Sequence, residues 1–438
     1  MKAIKSGKFW VSLVLFSLIG QVAWVVENMY FNVFIYKMFA ASEKQISLMV
    51  AASSIVATLT TIFIGALSDK VGRRKIFISG GYVFWGLSIL SFALVRTDVI
   101  GPLLPAGTTA AAVCITLTIV LDCFMTFFGS TANDACFNAW LTDVTEENSR
   151  GKVEGINAMM PLMAILVVFG GFMGFDLGTA KSWTLIFIII GAVVMVIGVA
   201  SIFLINEVPV KSDSNQNYFK NIIYSFRPST IKNNYILYVT ILCFALFNIS
   251  IQIFMPYLIL YYEISLSLTN YVLIMAPAIV IAGIITALYG RVYDKIGFVF
   301  SVLPAMASLM VGYVILIAST NVVLVFIGSL FMMTGYLAGM AVFGAMIRDK
   351  TPKDKAGALQ GLRIVGQVLI PGIVGPAIGA EVLAGAEQRV IDGVTKFVPN
   401  NNIFIAALVA AGVTLSVIAL MHFLLKIERK KEIKTQEK

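Results

Sequence analysis

Apolar stretches of about twenty residues recur along almost the whole chain, and they constrain its fold more than any other feature. A helix needs about 20 apolar residues to cross a hydrocarbon layer of about 30 Å. Only 13% of the 438 residues are charged and 59% are hydrophobic, whereas a soluble domain carries about a quarter charged residues. The pattern predicts an all-α integral membrane protein with twelve transmembrane helices. The predicted spans are Phe9–Tyr36, Gln45–Leu67, Ile76–Val95, Ala110–Trp140, Val153–Phe175, Trp183–Ile205, Asn234–Tyr262, Thr269–Tyr289, Val299–Ala318, Val322–Ile347, Leu359–Leu383 and Ile403–Leu425.

The lysine and arginine residues indicate how these spans are oriented. If both termini lie on one side, the connections on that side hold 25 of the 32 cations, and Arg363 alone lies inside a span. Cytoplasmic loops of membrane proteins carry an excess of Lys and Arg. We therefore predict a multi-pass plasma-membrane protein with both termini in the cytoplasm. The net charge of +9 is explained by this topology and does not require a nucleic-acid partner. The six cations on the opposite side are Lys37, Lys44, Arg96, Lys181, Arg389 and Lys396.

Two pairs of matching segments show that the chain contains an internal repeat. The segment "GALSDKVGRRK" (65–75) follows the second span, and "GRVYDKIGF" (290–298) follows the eighth. A second pair, "TDVTEENSRGKVEG" (142–155) and "RDKTPKDKAGALQG" (348–361), follows the fourth and tenth spans. The repeat predicts two six-helix bundles related by pseudo-two-fold symmetry. The first bundle is residues 1–205, the polar cytoplasmic linker is 206–233, and the second bundle with a basic cytoplasmic tail is 234–438.

The first of these segments resembles the signature loop of the major facilitator superfamily, G-x-L-A-D-R-x-G-R-K. Five positions match, namely Gly65, Leu67, Asp69, Gly72 and Arg73. The resemblance implies transport of a small solute by alternating access, in which two bundles rock about a site near the membrane midplane. A looser similarity to the glycoside–pentoside–hexuronide:cation symporters implies coupling through membrane acids. That branch usually carries paired acids on helix two, and this chain has none there.

The signature residues and their repeat copies form a predicted gating motif. Gly72 and Gly297 are expected at turns where the backbone is strained, because glycine adopts such conformations at low cost. Gly65 and Gly290 are expected where another helix approaches closely. We expect Asp69 to contact the start of helix eleven near 357–360, and Asp294 to contact helix five near 151–154, through the positive end of each helix. The motif comprises Gly65, Asp69, Gly72, Arg73, Gly290, Asp294 and Gly297.

Polar residues within the spans of the first half are candidates for the transport site, because each is costly in lipid. On helix one, Gln21, Trp24, Asn28 and Asn32 recur at helical spacing, with Glu27 at the edge of the stripe. On helix four, one face contains Asp122, Thr126, Gly129 and Asn133. We expect Asp122 to face the cavity. Asp134 points elsewhere and is either a cavity residue or a structural partner of a neighbouring helix.

The second half contributes five further candidates. Helix seven carries Asn248, Gln252 and Tyr257, and helix eleven carries Arg363 and Gln367. A cation inside a span must find a carboxylate, an anionic substrate or water, which makes Arg363 a functional candidate.

These residues favour a secondary active transporter. Carboxylates, amides and aromatic rings suit a sugar or another polar solute, and Glu27 or Asp122 is expected to couple its passage to a proton or to sodium. Burial favours the neutral form of a carboxylate, so such a group can carry a proton. Two alternatives are a proton-driven exporter of amphipathic compounds, for which Gly375-Pro376 is a weak signal, and a non-transporting receptor.

The sequence contains no recognisable catalytic or nucleotide-binding motif, so we predict that the protein is not an enzyme and needs no cofactor. The four cysteines lack the spacing of metal ligands, so no metal site is expected. The expected partners are a small-molecule substrate, the coupling ion and the lipid bilayer, with the protein acting as a monomer.

Overall fold

The computed structural model describes residues 7–145, 150–206, 227–268, 270–351, 361–391 and 393–436. Within them the chain is almost entirely helical, and we number the helices as the predicted spans are numbered. Helices one to six are Gly7–Phe39, Glu43–Val71, Arg74–Leu94, Ala110–Val144, Arg150–Phe172 and Ala180–Leu204. Helix seven is Tyr235–Ser265, helices eight and nine together are Val272–Ala318, and helices ten to twelve are Val322–Lys350, Gly361–Leu383 and Asn402–Gln436.

Ten helices in the described ranges are long and apolar enough to cross a membrane. Two shorter apolar stretches, Met159–Phe172 and Val272–Ala287, coincide with the predicted fifth and eighth spans. The predicted all-α membrane fold is therefore confirmed.

The chain divides into two compact units. The first contains helices one to six together with residues Glu387–Phe397, and the second contains helices seven to twelve. Most of the predicted linker, residues 207–226, lies outside the described residues, and its last part forms the short helix Pro228–Asn233.

The two glycines predicted at strained turns have the expected backbone. Gly72 has a φ angle of 68° after helix two, and Gly297 has a φ of 76° between helices eight and nine. A residue with a side chain rarely adopts such angles. Gly297 thus divides the continuous stretch Val272–Ala318 into two spans.

Within the described ranges, four transmembrane helices contain a π-helical segment, which the sequence did not reveal. The segments are Val26–Tyr30 in helix one, Ser130–Phe137 in helix four, Tyr261–Ser265 in helix seven and Val365–Leu369 in helix eleven. π-Helical turns are rare and often occur at functional sites.

The segment in helix one corrects the predicted polar stripe. A π-turn holds more residues than an α-turn, so side chains beyond it are rotated relative to α-helical spacing. Asn32 is fully buried and donates its amide hydrogen to the carbonyl oxygen of Asn28 at 3.1 Å. It therefore does not continue the stripe of Gln21, Trp24 and Asn28.

A β-hairpin between helices eleven and twelve was not predicted. Its antiparallel strands, β1 (Gln388–Ile391) and β2 (Val394–Phe397), pair from Ile391 with Val394 to Gln388 with Phe397. The sequence Asp-Gly between two short alternating runs is a known hairpin signal. We call residues 388–397 the outer hairpin, since they lie on the side predicted to be outside.

Candidate functional site

Glu27 and Thr126 join helices one and four through a buried hydrogen bond. The Thr126 hydroxyl donates to Oε1 of Glu27 at 2.9 Å. The π-helical segment Val26–Tyr30 carries Glu27, and helix four places Asp122 one turn before Thr126. Glu27 is 6% exposed and Asp122 is 1% exposed. Their carboxyl groups are close enough to interact electrostatically.

Each of these two acids has one oxygen that is not hydrogen-bonded. Within the described residues, neither Oε2 of Glu27 nor Oδ1 of Asp122 has a partner. Two neighbouring carboxylates that are both removed from water cannot both stay ionised without a counter-charge. The structure buries Asp122 beside Glu27, and its orientation toward a transport cavity stays a prediction.

Asp134 lies in a second polar group on helix four and is half-buried. The Ser130 hydroxyl lies 3.2 Å from its Oδ2, and the Asn133 amide lies 3.4 Å from its Oδ1. The Trp24 indole of helix one also lies close to this carboxylate. Asn133 is itself held in place, because the Tyr82 hydroxyl of helix three lies 3.1 Å from its side-chain oxygen.

An aromatic pair stands beside Asp134. The Trp24 and Trp85 rings are 5.1 Å apart, and Trp85 is completely buried whereas Trp24 is half-buried. Gly129 makes room for them, since a Cβ atom there would lie 2.7 Å from the Trp85 ring. The Trp24 ring therefore packs against Trp85, and part of its surface remains accessible. Gln21, which is half-buried, and the exposed Asn28 belong to the same stripe.

The helix seven candidates mainly support packing within the second unit. The buried Asn248 donates to the carbonyl oxygen of Phe244, at 2.8 Å, on its own helix. The buried Tyr257 hydroxyl lies 3.5 Å from the carbonyl oxygen of Pro376. Gln252 packs against Gly375, where a Cβ atom would lie 2.5 Å from that of Gln252.

This packing explains the Gly375-Pro376 pair on helix eleven as a close helix contact. Arg363 and Gln367 of the same helix are half-buried, and the guanidinium of Arg363 lies 3.9 Å from the position of a Cβ atom on Gly344 of helix ten.

Arg74 is the centre of the charged cluster at the end of the first unit that is predicted to be cytoplasmic. It is buried, and its guanidinium contacts Asp69 at 2.6 Å, the Ser68 hydroxyl at 2.9 Å and Asp143 at the end of helix four. Sequence reasoning had placed Arg73 in this motif, but Arg73 is exposed. Arg73 and Arg74 are adjacent in the sequence, so the sequence motif alone did not show which of them pairs with the acidic residues.

The predicted gating contacts are only partly covered by the structure. Residues 352–360, the expected partner of Asp69, lie outside the described residues. The expected partner region of Asp294, at 151–154, has its side chains largely outside the description, and Asp294 is exposed. A Cβ atom at Gly65 would meet no described atom within 4 Å, so the close helix approach expected there is absent from the described part of the chain. Gly290 lies within helix eight, and its helix contact stays a prediction.

The second unit has a different contact at the equivalent place in the repeat. The Tyr293 hydroxyl donates to Oδ2 of Asp349 at 2.6 Å. By the spacing of the two repeat segments, Tyr293 corresponds to Ser68 and Asp349 corresponds to Asp143. A phenol–carboxylate hydrogen bond in one unit thus takes the place of an ion-pair cluster in the other.

Comparison with known proteins agrees with this architecture. The crystal structure of the nucleoside transporter NupG superposes with a TM-score of 0.68 at 13% identity, covering 95% of this chain and 98% of that chain. The xylose transporter XylE from E. coli gives 0.66 at 15% identity, covering 92% and 96%. A bacterial homologue of the human lysosomal transporter Spinster gives 0.65 at 15% identity, covering 94% and 96%.

At these identities the superpositions establish the fold alone. No curated protein matches the sequence at a significant level. The profile of the Major Facilitator Superfamily matches residues 10–376, most of the chain. The chain therefore belongs to the Major Facilitator Superfamily, and it is a membrane transporter and not an enzyme.

Proposed function

We propose that the protein is a secondary active transporter in which Glu27 and Asp122 couple the movement of a polar solute to a proton. The observation that carries this proposal is the buried Glu27–Thr126–Asp122 cluster. Two acids in one low-dielectric site, with unpartnered oxygens among the described residues, favour uptake of a positive charge. The proposal places the protein in the plasma membrane with both termini in the cytoplasm, as the cation distribution indicates.

A proton suits this cluster better than sodium. The described residues hold no group of three or more acidic, histidine or cysteine side chains placed to bind a metal ion. Hard cations such as Ca²⁺ take about six to eight oxygen ligands. Two carboxyl groups and one hydroxyl provide fewer ligands, whereas a proton needs one lone pair.

Coupling requires the pair to hold its proton more tightly in one conformation than in another. In the conformation described here both acids are nearly inaccessible, and a bound proton reduces the charge of the pair from two to one, which lowers the cost of burying it. Opening the site to water would allow ionisation and release. The two acids lie on different helices, so a shift of helix one against helix four would change their separation and thus their affinity for the proton.

The solute that fits best is neutral and polar, such as a sugar or a nucleoside. Trp24 offers an aromatic surface, and Gln21 and Asn28 offer amide groups on the same stripe. The similar folds include transporters of a nucleoside and of xylose. The alternative of an amphipathic-compound exporter loses its sequence signal, because Gly375-Pro376 is explained by packing against Gln252. Both units belong to one chain, so we propose that a monomer transports.

The test is uptake into proteoliposomes under an imposed proton gradient, a sodium gradient or neither, screened over sugars and nucleosides. We expect accumulation above equilibrium under the proton gradient only. Glu27→Gln and Asp122→Asn should abolish accumulation while exchange of solute continues. Glu381→Gln, at an exposed acid of helix eleven, is the matched control and should behave like the wild type. Full accumulation in both site variants would refute the role of this pair.

A further inference from the structure

Asp134 differs from the other two acids within the spans of the first unit. Glu27 and Asp122 are closed off from solvent, whereas Asp134 keeps part of its surface accessible. Ser130 and Asn133 donate to it and fix its orientation, and the Trp24 indole lies close to it. An ionised carboxylate accepts about four hydrogen bonds. Acceptor positions are therefore left for a group outside the protein.

The side chains around Asp134 are held in fixed positions by their neighbours. Trp24 is braced by the fully buried Trp85, whose indole nitrogen has no partner among the described residues. The Tyr82 hydroxyl, which lies 2.9 Å from the carbonyl oxygen of Phe16, fixes the Asn133 amide. Rigid side chains of this kind bind a ligand without a large loss of conformational entropy.

The charge of the site limits which solutes it can take. Helices one, three and four carry Lys or Arg only at their ends, at Lys8, Lys37, Arg74 and Lys75. An anionic solute at Asp134 would meet a like charge in a low-dielectric site, and the described parts of helices one, three and four offer no compensating cation away from their ends.

We infer that Asp134 and Trp24 form the specificity subsite of the transporter, which accepts a solute without negative charge that donates a hydroxyl hydrogen to Asp134 and lays a flat face on Trp24. The inference rests on the proposed transport function but separates two tasks. Glu27 and Asp122 carry the coupling proton, and Asp134 with Trp24 selects the solute.

Two matched pairs of probes test this inference, namely glucose against glucuronate and uridine against uridine monophosphate. In each pair the ring system is kept and an anionic group is added. We measure ligand-induced tryptophan fluorescence and thermal stabilisation of the purified protein, together with uptake into proteoliposomes. The wild type should bind at least one neutral probe about tenfold or more tightly than its anionic partner, since a close like charge costs more than about 1.4 kcal/mol.

The Asp134→Asn variant should weaken binding of the neutral probe by about ten- to a hundredfold, as expected for the loss of a hydrogen bond to a charged group. It should keep gradient-driven accumulation at saturating solute. The control Glu381→Gln should change neither. Equal binding of the anionic probes, unchanged affinity in Asp134→Asn, or no binding of any of the four probes would overturn the inference. Binding with the expected selectivity but without gradient-driven accumulation would instead refute the coupling proposal.

Discussion

The Thr126 hydroxyl donates a hydrogen bond to Oε1 of Glu27 at 2.9 Å, and this bond connects helix four to a buried acid on helix one. It links an α-helical residue to a residue in a π-helical segment, so helices one and four are joined at the acid pair. Asp122 lies one turn before Thr126 on helix four. The position of the acid pair therefore depends on a single neutral donor.

Replacing Thr126 with valine should reduce gradient-driven uptake by about tenfold, because it removes a hydrogen bond to an acidic group and leaves Glu27 free to reorient. Thr126→Ser keeps the hydroxyl and should retain most of the activity. Initial rates in proteoliposomes measure both. Equal loss in the two variants would show that the hydroxyl alone does not account for the role of this position.

Arg74 should be the most sensitive residue of this charged cluster. Arg74→Met leaves the partly exposed Asp69 and Asp143 without their shared cation, and each lost hydrogen bond to a charged group costs about 1.5–3 kcal/mol. The melting temperature in detergent should fall strongly. Arg74→Lys should recover only part of it, since an ammonium cannot reproduce the planar guanidinium contacts.

The neighbouring Arg73 is the control for Arg74. It is exposed, so Arg73→Gln should change the free energy of unfolding by less than about 0.5 kcal/mol. Similar melting temperatures for the variants at the two arginines would contradict the central position of Arg74.

Replacing Gly129 and Gly65 with alanine should have opposite effects on the stability of the protein. Gly129→Ala places a methyl group 2.7 Å from the Trp85 ring. Such overpacking typically costs about 1–3 kcal/mol, and it should also displace Trp24 and weaken solute binding. Gly65→Ala meets nothing within 4 Å in the described chain, and alanine favours the helix by about 1 kcal/mol. Thermal unfolding should separate the two variants. A strongly destabilised Gly65→Ala would show that a neighbour approaches Gly65 closely.

The sequence alone predicted the spans and the turn glycines because their physical causes are local. The bilayer sets the length of an apolar helix, and a tight turn needs a residue that tolerates a positive φ, as Gly72 and Gly297 show. The acidic residues of the candidate site were found because charge inside a span is rare.

The rest depended on how the helices face one another. The π-helical segment around Glu27 has no signature in composition, and the burial of Asn32 and of Asp122 depends on helix packing that the sequence does not display. The choice between Arg73 and Arg74 required the position of Asp143. The outer hairpin did carry a local signal, Asp392-Gly393, but it was read as part of a connection between two helices.

Tyr293 provides a test of the difference between the two units. Tyr293→Phe removes one hydrogen bond to the carboxylate of Asp349, which is worth about 1.5–3 kcal/mol for a charged acceptor. The loss should be smaller than that in Arg74→Met, because a single hydrogen bond is broken and no buried charge is left without its cation. The melting temperatures of the two variants are compared. A larger decrease for Tyr293→Phe would show that the Tyr293–Asp349 contact of the second unit stabilises the protein more than the Arg74 cluster of the first unit does.

The central claim is that Glu27 and Asp122 carry one proton with each solute molecule. Proteoliposomes without an imposed gradient, loaded with a pH-sensitive dye, report proton entry when a transported solute is added outside. We predict acidification of the lumen with the wild type and none with Glu27→Gln or Asp122→Asn, although both variants still exchange labelled solute. Solute entry in the wild type without any change of internal pH, or unchanged acidification in both variants, would contradict the account.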